Sequence, residues 1–162
     1  MDIALLDSPA SLAEAASVFH GVWGGPTPLV GVEMLVAIVH SGGYVAGARS
    51  GGALVGASCA LLARHHGRPA LHSHVTGLLP AARGRGLGRA LKAHQYRWAA
   101  HRGIERITWT FDPLVRANAW FNIAVLGVDV DDYLSAFYGT LGDDINAGDD
   151  SDRLLVSWPV DP

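Results

Sequence analysis

The stretch Arg83-Gly84-Arg85-Gly86-Leu87-Gly88 interleaves glycines with arginines and leads straight into a strongly helical segment. Residues without Cβ let consecutive backbone N–H groups converge on an anion, and the N-terminus of the following helix adds partial positive charge. The arginines add full charges. A flexible surface turn is the alternative, and the flanking segments decide between them. Upstream, Leu71 to Leu79 is an apolar run ending at Pro80, as a buried strand should. Downstream, Leu87, Ala90, Leu91, His94 and Trp98 recur at helical spacing until Gly103, and Ile104 to Phe111 reads as a second strand. The unit is strand, anion loop, helix, strand.

Two phosphate loops are excluded by spacing. A Walker loop needs Lys followed by Ser or Thr after its last glycine, where Arg89 and Ala90 stand here. A dinucleotide fingerprint runs G-x-G-x-x-G, whereas the order here is G-x-G-x-G. The stretch resembles the acyl-CoA loop of the GNAT acetyltransferase superfamily, Arg/Gln-x-x-Gly-x-Gly/Ala, with Arg83, Gly86 and Gly88 in register. The likeness extends over Leu78-Leu79-Pro80, the helix after the loop and the strand Ile107 to Phe111. Trp109-Thr110-Phe111-Asp112-Pro113 and the tail from Tyr138-Gly139 to Trp158 are similar to a GNAT subgroup known mainly as predicted acetyltransferases.

Composition is compatible with one small enzyme domain spanning 1–162. The chain has 162 residues, long enough for one sizeable core. Apolar residues make up 49% and charged residues only 17%, so some apolar surface is expected to be paired, in a possible homodimer. The one cysteine, Cys59, lies in an apolar run and reads as a buried hydrophobe. Asp2 and Asp7 replace a basic leader, and glycine pairs interrupt the uncharged stretches before a bilayer could be crossed. A cytoplasmic protein with no membrane partner is expected.

Ser8 can cap a helix starting at Pro9, with Leu12, Ala15, Ala16 and Phe19 on one face. A second helix is expected from Leu29 to His40. Ser50-Gly51-Gly52 signals a hairpin between strands Gly43 to Arg49 and Ala53 to Arg64. A helix around Arg116 to Leu126 and strands near Tyr133 to Phe137 and Arg153 to Val156 complete the chain. The expected fold is α/β: a mixed central sheet flanked by about four helices, which is also the GNAT arrangement.

Charge is segregated behind a net value of −3. Arg83 to Arg106 is strongly basic, with Glu105 its one acid, while Asp129 to Asp152 holds aspartates and no Lys or Arg. Arg83, Arg85 and Arg89 surround the anion loop, which suits the phosphates of coenzyme A. The acidic balance and the lack of a reader motif argue against nucleic acid. The acidic run, notably Asp143, Asp144, Asp149, Asp150 and Asp152, is either a solvated loop or an attractor for a cationic amine.

Amine acylation needs a proton acceptor, oxyanion donors and a proton source for the thiolate. His72 and His74, two apart on a strand and so expected on one face, are the base candidates; hydrogen-bonded core histidines are the alternative. The arylalkylamine branch of GNAT enzymes has two histidines at those offsets from its loop. The resemblance implies acetyl-CoA as cofactor, bound by Arg83, Gly84, Arg85, Gly86, Leu87, Gly88 and Arg89. It also implies that backbone groups of Gly77 and Leu78, on a strand splayed from its neighbour, pair with the pantetheine arm. Many members place an acidic tyrosine four residues before a glycine in the helix after the fifth strand; counted from Gly127 that position is Ile123. Tyr138 or Tyr133 could substitute, and Asn118 could bind coenzyme or acceptor. A calcium loop from Asp144 fails because Leu155 fills its twelfth position, so no metal is expected. The resulting expectation is an acetyl-CoA-dependent N-acetyltransferase acting directly on a small-molecule or peptide amine. Its rivals are a coenzyme A binding module without turnover and a nucleotide-phosphate enzyme using the same loop.

Overall fold

The computed structural model describes residues 2–140, 144–145 and 151–161. Its strands are β1 (Asp2–Leu5), β2 (Tyr44–Ser50), β3 (Ala53–His65), β4 (Arg68–Leu78), β5 (Arg106–Phe111), β6 (Asp129–Leu134) and β7 (Arg153–Pro159). The helices are α1 (Pro9–Trp23), α2 (Val32–His40), α3 (Leu87–Ala100) and α4 (Arg116–Ala119), the last continuing as a π-helical turn, Trp120–Leu126. One seven-stranded sheet runs in the order β1-β2-β3-β4-β5-β7-β6. Every neighbouring pair is antiparallel except β4 and β5, whose connection through α3 makes them parallel.

Local chemistry explains most boundaries. Ser8 Oγ accepts from Ser11 N at 3.2 Å and Pro9 opens α1, whose Leu12, Ala15, Ala16 and Phe19 are buried. Gly51 and Gly52, at φ +59° and +86°, close the β2–β3 hairpin. α2 starts at Val32, later than the expected Leu29, because Pro26 and Pro28 hold the preceding segment out of helix. The strand β4 starts at Arg68, earlier than expected.

Two expectations need correction at the sheet edges. β1 carries no apolar alternation and is largely exposed, so its sequence gave no strand signal, yet it pairs with β2 from Asp2↔Arg49 to Leu5↔Ala46. The sixth strand is Asp129–Leu134 rather than Tyr133 to Phe137, because Ala136 at φ +47° turns the chain there. As an edge strand with outward acids, β6 has none of the alternation of a buried strand.

Helices cover both faces. α1 and α2 bury Phe19, Leu35 and Ile38 against Val45, Cys59 and Val75. On the other face α3 and the segment after β5 enclose Trp98, Trp109, Phe111 and Val156. Among the described residues no helix is long and apolar enough to cross a membrane.

Candidate active site

The parallel pair β4–β5 holds together only from Ala70↔Arg106 to His72↔Thr108. Beyond it, Ser73–Leu78 and Trp109–Phe111 run on without pairing to each other, so the sheet splits. The β4 edge of this split leads through Pro80–Ala82 to the glycine loop and the N-terminus of α3.

Gly84 and Gly86 adopt φ +74° and +76°, and no atom lies within 4 Å of where either would carry a Cβ. The loop backbone is therefore bare. Among the described residues, the amides of Gly84, Arg85 and Gly86 have no protein acceptor. The first-turn amides of Leu87, Gly88 and Arg89 add to them as the open end of a helix does. Arg83, Arg85 and Arg89 are exposed, and Arg83 Nε donates to Leu78 O at 3.2 Å. Gly88 packs near Leu78 and Phe121, and Leu87 is buried, so these two anchor the loop. These groups suit a phosphate-bearing ligand.

Gly77 has a packing reason to be glycine. A Cβ there would stand 2.6 Å from Trp23 Cζ3, so the packing of α1 demands its absence.

Two of the catalytic candidates, His72 and Tyr138, contact the threonines of β5 beside the split. His72 Nδ1 and Thr108 Oγ1 share a hydrogen bond of 3.1 Å at the last β4–β5 pair. Next to it β4 is bulged: Cys59 faces Val75 and Ala60 faces Ser73, which leaves His74 as the extra residue. The alternation breaks there, so the two-residue spacing of the histidines does not imply a shared face. Desolvation lowers the pKa of both, with the nearby charges of His74 and Lys92 lowering His72 further, while the His74 side chain keeps an exposed edge through which a proton can leave. Both imidazoles are thus held neutral, able to accept a proton near pH 7. Tyr138 Oη lies 3.2 Å from Thr110 Oγ1 on the same side of β5 as Thr108, and remains 40% exposed.

Other candidates are placed elsewhere. Asn118 is exposed and its carbonyl accepts from Asn122 Nδ2 at 2.9 Å. Ile123 is exposed on the π-helical turn. Tyr133 donates to Asp152, whose carboxylate also accepts from Ala136 N at 2.8 Å; both partners are committed to the turn after β6. Asp144 N donates to Trp23 O at 3.1 Å, tying that segment to the end of α1. Asp143, Asp149 and Asp150, and the middle of the rejected calcium loop, lie outside the described residues. Burial raises the Cys59 thiol to about 12, which leaves it inert.

Sequence reasoning missed a buried polar cluster under the split: Lys92, Gln95, Ser58 and Ser73. Lys92 and Gln95 interrupt the apolar stripe of α3, and that interruption was the available signal. A separate cavity of about 410 Å³ lies at the far end of the sheet, but its charges are paired: His65 with Asp131 at 3.2 Å and Arg68 with Glu105 at 2.8 Å.

A parallel strand pair that opens beside a bare, arginine-rich glycine loop defines an α/β protein suited to a long phosphate-bearing ligand. The profile of the Acetyltransferase (GNAT) family matches residues 15–123, and the chain belongs to that family. No curated protein matches the sequence. Its fold is similar to the ribosomal-protein-S18-alanine N-acetyltransferase of Escherichia coli, at 13% identity and TM-score 0.77, over 99% of this chain and 94% of that one. An aminoglycoside 6'-N-acetyltransferase complexed with coenzyme A aligns at 14% identity and TM-score 0.72, over 100% and 98%. The yncA structure from Salmonella typhimurium, which contains acetyl-CoA, aligns at 18% identity and TM-score 0.74, over 99% and 94%.

Proposed function

We propose that this protein is an acetyl-CoA-dependent N-acetyltransferase that passes the acetyl group directly to a primary amine. The observation that carries the reading is the split between β4 and β5 with the bare glycine loop beside it. Family membership, and neighbours containing coenzyme A or acetyl-CoA, support the same ligand. When bound, acetyl-CoA supplies an activated acetyl thioester.

In this reading Arg83, Gly84, Arg85, Gly86, Leu87, Gly88 and Arg89 hold the pyrophosphate. Backbone groups of Gly77 and Leu78 align the pantetheine arm, and Asn118 borders it. His74, at the bulge, takes the proton of the attacking amine, with His72 beside it. Tyr138 faces the split from the β5 side and orients the acceptor or donates a proton. Direct transfer is favoured because the buried Cys59 thiol is not fitted to carry an acyl group. The acidic segment after β6 reaches the end of α1 through Asp144, which favours a cationic acceptor, a small-molecule or peptide amine. A cytoplasmic homodimer completes the proposal, supported by exposed Leu114 and Trp120.

Calorimetry with acetyl-CoA, ATP and NAD, followed by thiol release across an amine panel, tests it. Tight binding of acetyl-CoA alone, with amine-dependent release, is the expected result. Binding without turnover would leave a coenzyme A module, and preference for ATP or NAD would overturn the reading.

A further inference from the structure

Lys92 is the only lysine in the chain, and it is buried on the inner face of α3. Its Nζ donates to Ser73 Oγ at 2.9 Å and to Gln95 Oε1 at 3.4 Å, and stands 3.8 Å from the centroid of the Trp109 ring. Gln95 Nε2 donates to Ser58 Oγ at 3.4 Å, which shares a 2.8 Å hydrogen bond with Thr76 Oγ1. Of the titratable groups on the strands packed against α3, His72 on β4 is close enough to feel the Lys92 charge, with His74 beside that histidine, and the hydrogen-bond acceptors of Lys92 are the neutral Ser73 and Gln95. Among the described residues no carboxylate pairs with it.

Burying an ammonium without an anion is unfavourable by several kcal/mol, and packing alone would be better served by Met or Leu. The position of this one suggests a chemical use. Ser73 and Trp109 are the first residues of β4 and β5 past their last pair, so Lys92 stands at the floor of the split on the α3 side. Position 123, where the family resemblance implies a tyrosine, holds an exposed isoleucine.

We propose that Lys92, acting through the Ser73 hydroxyl, supplies the proton taken up by the thiolate leaving at the β4–β5 split. The proposal rests on the acetyl-transfer reading. The acceptor nitrogen's lone pair forms the C–N bond, and the C–S electron pair goes to sulfur as that bond breaks. Ser73 gives its hydroxyl proton to sulfur while the Lys92 ammonium reprotonates Ser73 Oγ and becomes neutral. The proton lost by the amine leaves through the histidines, and water later reprotonates Lys92. Burial lowers the Lys92 pKa to about 7, so both of its forms are populated at neutral pH.

Protein labelled with [ε-13C]lysine should give one lysine signal, titrating near neutral pH and displaced by coenzyme A. The wild-type kcat should fall above that midpoint. Lys92→Met should lower kcat by about a hundredfold, leave the acetyl-CoA KM within a few fold and remove the alkaline limb. Ser73→Ala should lower kcat comparably while Lys92 still titrates, and it decides the matter if Lys92→Met fails to fold. A folded Lys92→Met or Ser73→Ala enzyme with wild-type kcat and alkaline limb would overturn the proposal while leaving acetyl transfer standing. Absence of coenzyme binding in the wild type would sink the parent reading and this one with it.

Discussion

Gly86 illustrates how one residue serves geometry and chemistry together. At φ +76° and with open space where a Cβ would be, it caps α3 while leaving the loop amides bare. A β-branched side chain there costs on the order of 1–2 kcal/mol in backbone strain and would fill the open space beside the loop amides. Gly86→Val should therefore abolish acetyl-CoA binding in calorimetry, with the far-UV spectrum unchanged; Arg83→Ala should weaken it by roughly 1.5–3 kcal/mol. Unchanged affinity in both variants would remove the loop from the binding site. His74 is the other decisive residue. His74→Gln keeps hydrogen bonding but not basicity, so kcat should fall by about a hundredfold to ten-thousandfold with little change in coenzyme affinity. Because desolvation lowers both histidines, the acid limb of the wild-type kcat/KM should lie on the acid side of the ordinary histidine range. A fully active His74→Gln enzyme with the same acid limb would show that histidine to be structural.

At the scale of elements, the helix after β5 is joined to the sheet by one buried polar contact. Trp109 Nε1 donates to Asn122 Oδ1 at 3.0 Å, while Asn122 Nδ2 donates one turn back to Asn118 O. Asn122 belongs to the π-helical turn ended by Gly127 at φ +69°. Such a turn holds a side chain where a regular α-helix would not. Asn122→Leu would leave the buried indole N–H without a partner, costing about 1–3 kcal/mol. A lower melting temperature is the expected outcome, and an unchanged one would mean the indole finds water. The bulge at His74 and the split beyond His72 are likewise properties of paired strands. The split was expected only through the family resemblance and the bulge not at all, because pairing register depends on β3 and β5 as much as on β4.

For the whole molecule, the buried polar cluster sets the pH dependence of stability. Lys92 has a folded pKa near 7 against 10.5 for the free side chain, so between these values the unfolded chain binds a proton that the folded chain lacks. Stability must then rise with pH from about 7. Burial raises Cys59 to about 12 and Tyr44 higher still, and these act in the opposite sense, since the unfolded chain releases their protons first above roughly pH 8.5 to 10. Urea midpoints should therefore increase from pH 7 to about 9 in the wild type, and stay nearly flat in Lys92→Met. Parallel curves for the two proteins would show that Lys92 is not held neutral by the fold. The sequence by itself determined the α/β class, the capped first helix, the hairpin and the glycine loop ahead of α3, because glycine placement, capping and hydrophobic period act within a few residues of chain. The two sheet edges, the bulge at His74 and the packing role of Gly77 were decided by tertiary structure. So was the burial of Lys92 beneath the split, because each depends on groups brought together from distant parts of the chain.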